Sequence, residues 1–163
     1  MRLTVNFERL FLPEMRIFQP AEKSFWLQKV CEWNYEKLAS LIPDLAGVDE
    51  TAVAQVNGKP SLHLRLLERS PYTLVLELTH DFVRGVEPAV KIRVCLDAKT
   101  AEALSDHWRP YVLDAVRDRY SAKSVLDYKW SLNYFLTRWL DHCLQNDYRF
   151  GTARYSREEY ATL

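Results

Sequence analysis

The chain has 163 residues, and its 22 basic and 22 acidic side chains leave it with no net charge. This length suits a single domain, and the balanced charge excludes a general electrostatic attraction to nucleic acid or to an anionic membrane surface. Hydrophobic residues make up 48% of the chain and charged residues 27%, which is the composition of an ordinary globular protein.

An amphipathic helix is predicted after an N-terminal extension of residues 1–20. The helix is expected over residues 24–42, because Pro43 disfavours helical geometry in the residue before it. Its apolar residues recur at helical spacing: Leu27, Val30, Cys31, Leu38 and Leu41. Asn34 interrupts the centre of this apolar stripe, so its amide needs a partner inside the fold.

Five strands are predicted next, because the apolar residues change to a period of two. They are expected near residues 51–56, 62–67, 72–79, 90–96 and 100–106. Asn57-Gly58 favours a tight hairpin turn after the first of them. Short connections between consecutive strands imply an antiparallel meander. The predicted fold class is therefore α+β, an antiparallel meander of about five strands covered by an N-terminal and a C-terminal amphipathic helix.

The C-terminal helix is predicted to begin near Ser124, whose spacing from Asp127 fits a capping box. Residues 109–120 before it fit either a short helix or an irregular connection. The apolar face of the C-terminal helix contains Leu132, Leu136, Trp139, Leu140 and Cys143. Lys129 and Asn133 lie within or beside that face. The domain is expected to span residues 21–147, and the polar tail of residues 148–163 is expected to be mobile unless a partner orders it.

Motifs for catalysis and for cofactor binding are missing from the sequence. There is no GxSxG elbow and no glycine-rich phosphate loop, and the four histidines lack the spacing of metal ligands. No cofactor and no metal site are predicted, although His80-Asp81 could form half of a metal site completed from elsewhere. The cysteines Cys31, Cys95 and Cys143 lie in apolar stretches, as buried free thiols do.

Two weaker chemical hypotheses remain open. Arginines could converge on a phosphate, or they could be solvated on the open face of the sheet: Arg65, Arg93, Arg117 and Arg119. Asp97 and Glu102 could act as paired carboxylates in an enzyme with an unfamiliar site, although a surface hairpin is the simpler account of them.

The polar interruptions of the helices allow two interpretations. Asn34, Lys129 and Asn133 could bond to strand carbonyls, to each other, or to Glu68 or Glu102, and so fix the helices on the sheet. Alternatively, they could form the polar floor of a pocket between helices and sheet, with Tyr72 and Trp139 as its walls.

Several motifs resemble the YqiB-like family of small bacterial proteins of unknown function. The motifs are Cys31-Glu32-x-Asn34-Tyr35-x-x-Leu38, Leu41-x-Pro43, Glu68-x-x-x-Tyr72-Thr73, Arg93 with Asp97-Ala98-x-x-Ala101-Glu102, Arg119-Tyr120, and Lys129-x-x-x-Asn133-x-Phe135-Leu136-x-x-Trp139-Leu140-x-x-Cys143-Leu144. Together they cover about residues 25–145. The genomic neighbours of that family imply, at most, a role around nucleotide metabolism or signalling.

Function is predicted only as a class. The first hypothesis is a non-catalytic accessory domain that binds a protein partner or itself; the alternative is a domain that binds a nucleotide or lipid in the crevice between helices and sheet. The candidate ligand-binding residues are Asn34, Glu68, Tyr72, Arg93, Lys129, Asn133 and Trp139. A cytoplasmic location is expected, because no secretory signal and no run of ~20 apolar residues is present.

Overall fold

The protein is built from one antiparallel sheet and two long helices. The computed structural model describes residues 20–81, 89–105 and 122–151. In chain order the elements are α1 (Pro20–Leu41), β1 (Thr51–Ala54), β2 (Ser61–Arg69), β3 (Thr73–Asp81), β4 (Val90–Cys95), β5 (Thr100–Ser105) and α2 (Ala122–Gln145). The strands follow one another across the sheet in sequence order, each antiparallel to the next. The predicted α+β meander is confirmed.

One face of the sheet forms the core with the helices. Leu76, Ile92 and Ala103 are aligned across three neighbouring strands and are fully buried. Further strand residues buried on this face are Leu62, Leu64, Leu74, Leu78, Val90, Val94 and Ala101. The helices contribute Leu38, Leu41, Leu132, Leu136, Leu140 and Cys143. The period of two in the strands and the helical period in α1 and α2 thus meet in a single apolar layer.

The two helices run parallel, side by side, and charged pairs join them at both ends of their contact. Lys23 Nζ lies 2.7 Å from Asp127 Oδ1. Fourteen residues further along each helix, Lys37 Nζ lies 3.1 Å from the Asp141 carboxylate. Lys37 also donates to Thr137 Oγ1 at 2.7 Å. These links fix the register of α1 against α2.

The helix beginnings differ slightly from the sequence prediction. Pro20 occupies the first position of α1, where proline is favoured because its missing N–H would have no helical acceptor. Helix α2 already begins at Ala122, two residues before Ser124. The predicted capping box is therefore not at the start of α2. Asp127 instead pairs with Lys23 of the neighbouring helix.

The chain turns back into the core after α2 rather than leaving it. Asp147 has a φ of 66°, and the Tyr148 N–H donates to the Cys143 carbonyl at 3.1 Å, which is the pattern of a Schellman motif. Tyr148 and Phe150, assigned to the polar tail from the sequence, are 4% and 1% exposed. The Phe150 N–H donates to the Leu41 carbonyl at 2.9 Å, at the end of α1. The packed chain therefore reaches at least Phe150.

Several sequence predictions concern residues outside the described ranges. They are the extension up to residue 19, the connection at residues 109–120 and the tail from residue 152 onward. Within the described ranges, neither helix is long and apolar enough to cross a membrane.

Candidate functional site

The two asparagines of the helix apolar faces meet at the outer edge of β5. Asn34 Nδ2 donates to the Ala101 carbonyl at 3.3 Å, and Asn133 Oδ1 accepts the Ala103 N–H at 2.8 Å. The two side chains also approach each other, with Asn34 Nδ2 at 3.5 Å from Asn133 Oδ1. Both side chains have no exposed surface. The sequence predicts that each amide needs a partner, and the structure brings the two together on one strand.

The contact has a simple physical reason. In an edge strand, alternate backbone groups point away from the sheet and have no neighbouring strand to bind. At β5 these outward groups include the carbonyl of Ala101 and the N–H of Ala103, and the helices bury both. A buried backbone group without a partner would cost about 1–3 kcal/mol. Asn34 and Asn133 therefore supply the hydrogen bonds that a sixth strand would otherwise make.

Asn133 is better satisfied than Asn34. Its Nδ2 donates to the Lys129 carbonyl one turn earlier in α2, at 2.9 Å, while its Oδ1 binds β5. Asn34 Oδ1, by contrast, is buried and has no hydrogen-bond partner among the described residues. Turning the Asn34 amide over would place its oxygen against the Ala101 carbonyl oxygen, so the observed orientation is the favourable one.

Lys129 lies beside this contact and pairs with the sheet. Its Nζ is 3.4 Å from Glu102 Oε1 on β5, and both side chains are partly exposed. The charges of Glu102 and Lys129 both affect the pKa of Cys31, which lies on α1. Burial, with a smaller contribution from the Glu102 carboxylate, raises the pKa of the Cys31 thiol to about 12. This thiol therefore stays protonated and is a poor nucleophile at neutral pH.

The remaining candidate residues do not converge on these asparagines. Tyr72 is 65% exposed immediately before β3, whereas Trp139 packs edge-on against His80 near the other end of that strand. Eight residues of extended chain correspond to about 26 Å. The two rings therefore do not wall a common pocket. Glu68 and Arg93 are exposed residues opposite Val75, one on each neighbouring strand.

His80 lies in a buried cluster that the spacing of residues in the sequence does not predict. The imidazole forms edge contacts with Trp139 and Tyr148, with ring centroids at 5.3 and 5.4 Å, and its Nε2 lies 3.9 Å from Cys143 Sγ. Burial, and secondarily the charge of His142, lowers the pKa of His80 from 6.5 to about 4. Burial also raises the pKa of Cys143 to about 12. A neutral imidazole beside a neutral thiol is not an activated catalytic pair.

The neutral His80 predicts a pH dependence of stability. Between pH 6.5 and about 4 the unfolded chain binds a proton at this residue and the native protein does not. The contribution of neutral His80 to the free energy of unfolding is fully present above pH 6.5. It falls by about 3 kcal/mol as the pH is lowered from 6.5 to about 4. Urea unfolding across this range is expected to show a weaker pH dependence in His80→Leu than in the wild type.

A histidine on the other face of the sheet provides the control. His63→Leu is expected to retain the part of the pH dependence that belongs to His80. Equal pH slopes for the wild type and His80→Leu would contradict the assignment of a neutral, buried imidazole.

The arrangement of the described residues gives no support to a phosphate site built from arginines or to paired catalytic carboxylates. Arg65 of β2 pairs with Glu77 at 2.9 Å beside an open depression of about 400 Å³. Arg93 is two strands away, on β4, and lies opposite Glu102 of β5. Asp97 accepts the N–H of the next residue at 2.8 Å, and Glu102 is held by Lys129.

Metal binding likewise finds no site in the described parts of the chain. In those ranges, no three His, Cys, Asp or Glu side chains are grouped so that they could hold a metal ion. Arg117 and Arg119 lie outside these ranges, and so does the side chain of Asp81.

An aromatic surface lies on the outer side of α1 and consists of Phe25, Trp26, Lys29 and Trp33. Phe25 is 56% exposed and Trp33 42% exposed. Trp26 lies between them, with ring centroids at 5.5 Å from Phe25 and 6.2 Å from Trp33, and the Lys29 ammonium lies 5.7 Å from the centre of the Phe25 ring. Large rings on the solvent side of a helix do not contribute to its core packing.

A comparison with protein families identifies the family of this chain. A family model described as a protein of unknown function (DUF1249) matches residues 37–149, well over half of the chain. The protein belongs to this DUF1249 family. No curated protein and no solved structure matches the chain. The matched range contains β1 to β5, α2 and the segment that returns to the core. It includes Asn133 but begins three residues after Asn34.

Proposed function

We propose that this DUF1249 protein is a non-catalytic accessory domain that binds a protein partner through the aromatic surface of α1. The exposure of Phe25 and Trp33 carries the proposal. Clustered exposed aromatic residues are typical of protein-binding surfaces, and tryptophan is enriched among the residues that contribute most binding energy. A partner that covers these rings would remove apolar surface from water without rearranging the core.

The charges around the rings suit a partner with mixed polar and apolar character. Lys29 lies next to Phe25 and also pairs with Glu32 at 3.2 Å, so both signs of charge border the apolar rings. An apolar centre with a polar rim is the usual composition of a protein interface. We also propose that the chain is related to the YqiB-like family that its motifs resemble. The motif that begins at Lys129 lies within residues 37–149, the range that the DUF1249 family model matches.

The alternative, a nucleotide or lipid in the crevice between helices and sheet, has weaker support. The asparagines that would form the floor of that crevice are fully buried and are bound to the backbone of β5. A ligand there would have to break those hydrogen bonds and separate α1 from the sheet.

Site-specific photo-crosslinking in the native host cells tests the aromatic surface. A photoreactive amino acid placed at position 25 or at position 33 is expected to form an adduct with the same single protein. The matched control is position 28, where Gln28 is exposed on a neighbouring side of the same helix and should give no such adduct.

A double variant separates binding from stability. Phe25→Ser with Trp33→Ser is expected to change the free energy of unfolding by less than about 1 kcal/mol, because Phe25 and Trp33 are exposed residues outside the core cluster. The same variant, carrying the photoreactive group at Lys29, should lose the adduct. If positions 25 and 33 give no adduct, or give the same products as position 28, the proposal is wrong.

A further inference from the structure

The two edges of the sheet differ in how their backbone groups are satisfied. At β5, Asn34 and Asn133 bind the outward carbonyl of Ala101 and the outward N–H of Ala103. The other edge of the described sheet is β1, whose neighbour among the five strands is β2. Across the described ranges, no backbone hydrogen bond reaches the outer side of β1.

The outward groups of β1 belong to Thr51 and Val53. The Leu66 N–H donates to the Glu50 carbonyl at 2.7 Å, so Glu50 faces β2. Hydrogen bonding alternates along an antiparallel strand, and Ala52 therefore also faces β2. Thr51 and Val53 then each direct an N–H and a carbonyl away from the sheet.

Strand β1 is only four residues long, but it lacks the other features by which edge strands usually avoid pairing. Native edges carry lysines, prolines or bulges that obstruct an incoming strand. The four residues of β1, Thr51-Ala52-Val53-Ala54, are uncharged and contain no proline. Their register with β2 runs from Thr51 to Ala54 without a shift, so no bulge twists this edge away.

We propose that β1 pairs with β1 of a second copy of this chain, antiparallel and about a two-fold axis. Thr51 of each copy lies opposite Val53 of the other, and each N–H of the pair meets a carbonyl. The two such pairs give four inter-strand hydrogen bonds and one continuous sheet across both copies.

The second copy is favoured over an unrelated strand because β1 is complementary to itself in this register. Ala52 faces Ala52 of the second copy, and these small side chains leave room on the covered side of the sheet. Thr51 and Val53 are β-branched and pair across the strands on the open side. Glu50 lies opposite Ala54, so no like charges are opposed at the ends of the contact. Both helices pack on β5, at the opposite edge.

The mass in solution tests this pairing. The wild type is expected to show twice the chain mass of 19.2 kDa at high concentration. Val53→Pro removes only the outward N–H at that position, so proline is tolerated there as on other edge strands. The variant loses two of the four hydrogen bonds, and its dimer dissociation constant should rise at least about tenfold. Thr51→Val, which keeps both backbone groups, is the matched control and should remain dimeric.

Hydrogen exchange of the wild type provides a measurement that needs no variant. The amides of Thr51 and Val53 should exchange more slowly as the protein concentration rises, because dimerisation buries them. A wild type that keeps a mass of 19.2 kDa, or outward amides whose exchange is fast at every concentration, would overturn the proposal. Phe25→Ser with Trp33→Ser should stay dimeric, so this test is independent of the proposed partner at α1.

Discussion

Phe150→Ala is expected to lower the free energy of unfolding by about 3–5 kcal/mol, the range measured for deleting a buried phenylalanine ring. The ring is 1% exposed within the common core, and its backbone N–H caps the Leu41 carbonyl at the end of α1. Substitution leaves that backbone bond possible but creates a cavity in the core. Chemical unfolding monitored by circular dichroism would measure the loss.

The neighbouring Arg149 provides a matched control. Its side chain is exposed, so Arg149→Ala should change the stability by no more than about 0.5 kcal/mol. If Phe150→Ala were as mild as Arg149→Ala, residues 148–150 would behave as the mobile tail that their polar surroundings in the sequence suggested.

Asn133→Leu is expected to destabilise the protein by about 3–4 kcal/mol, although leucine is apolar and nearly the same size. The substitution removes the acceptor of the Ala103 N–H and leaves that buried donor unpaired, which alone costs about 1–3 kcal/mol. It also removes the Asn133 contacts with the Lys129 carbonyl and with Asn34. Equilibrium urea unfolding of the purified variant gives the difference directly.

Two comparisons show whether the β5 edge causes this loss. Gln145→Leu makes a similar change at an exposed site near the end of α2 and should be close to neutral. Asn34→Leu should cost less than Asn133→Leu, because Asn34 makes longer hydrogen bonds and its Oδ1 has no partner in the described ranges. A stabilising Asn133→Leu would show that the amide is not required by β5, and would reopen the pocket interpretation of this residue.

Local chemistry made much of the fold predictable. The change of apolar period from helical to two located the five strands, and Gly58, with a φ of 76°, occupies the turn that Asn57-Gly58 predicted. Pro43 placed the end of α1 within one residue. Each of these signals acts within a few residues of chain, so it can be recognised without tertiary information.

The candidate site was less predictable, because its partners are distant in the chain. The sequence marked Asn34 and Asn133 as polar residues on apolar faces, but 99 residues separate them. Nothing local indicates that β5 is an edge strand, and only an edge strand has outward groups for these amides to bind. Tyr72 and Trp139 were predicted to line a common pocket, but the structure separates them. Tyr72 lies before the start of β3, whereas Trp139 packs near its end.

Local residue patterns are sufficient to predict the class of this domain: one meander and two amphipathic helices, with Asn34 at the centre of one apolar face and Lys129 and Asn133 within or beside the other. The tertiary structure is needed to identify the hydrogen-bond partners of those polar residues, because the partners depend on which strand lies at the edge of the sheet. It also decided that His80 lies against Cys143 and that Phe150 closes the core. Those contacts join segments whose own patterns specify burial or polarity but not a neighbour.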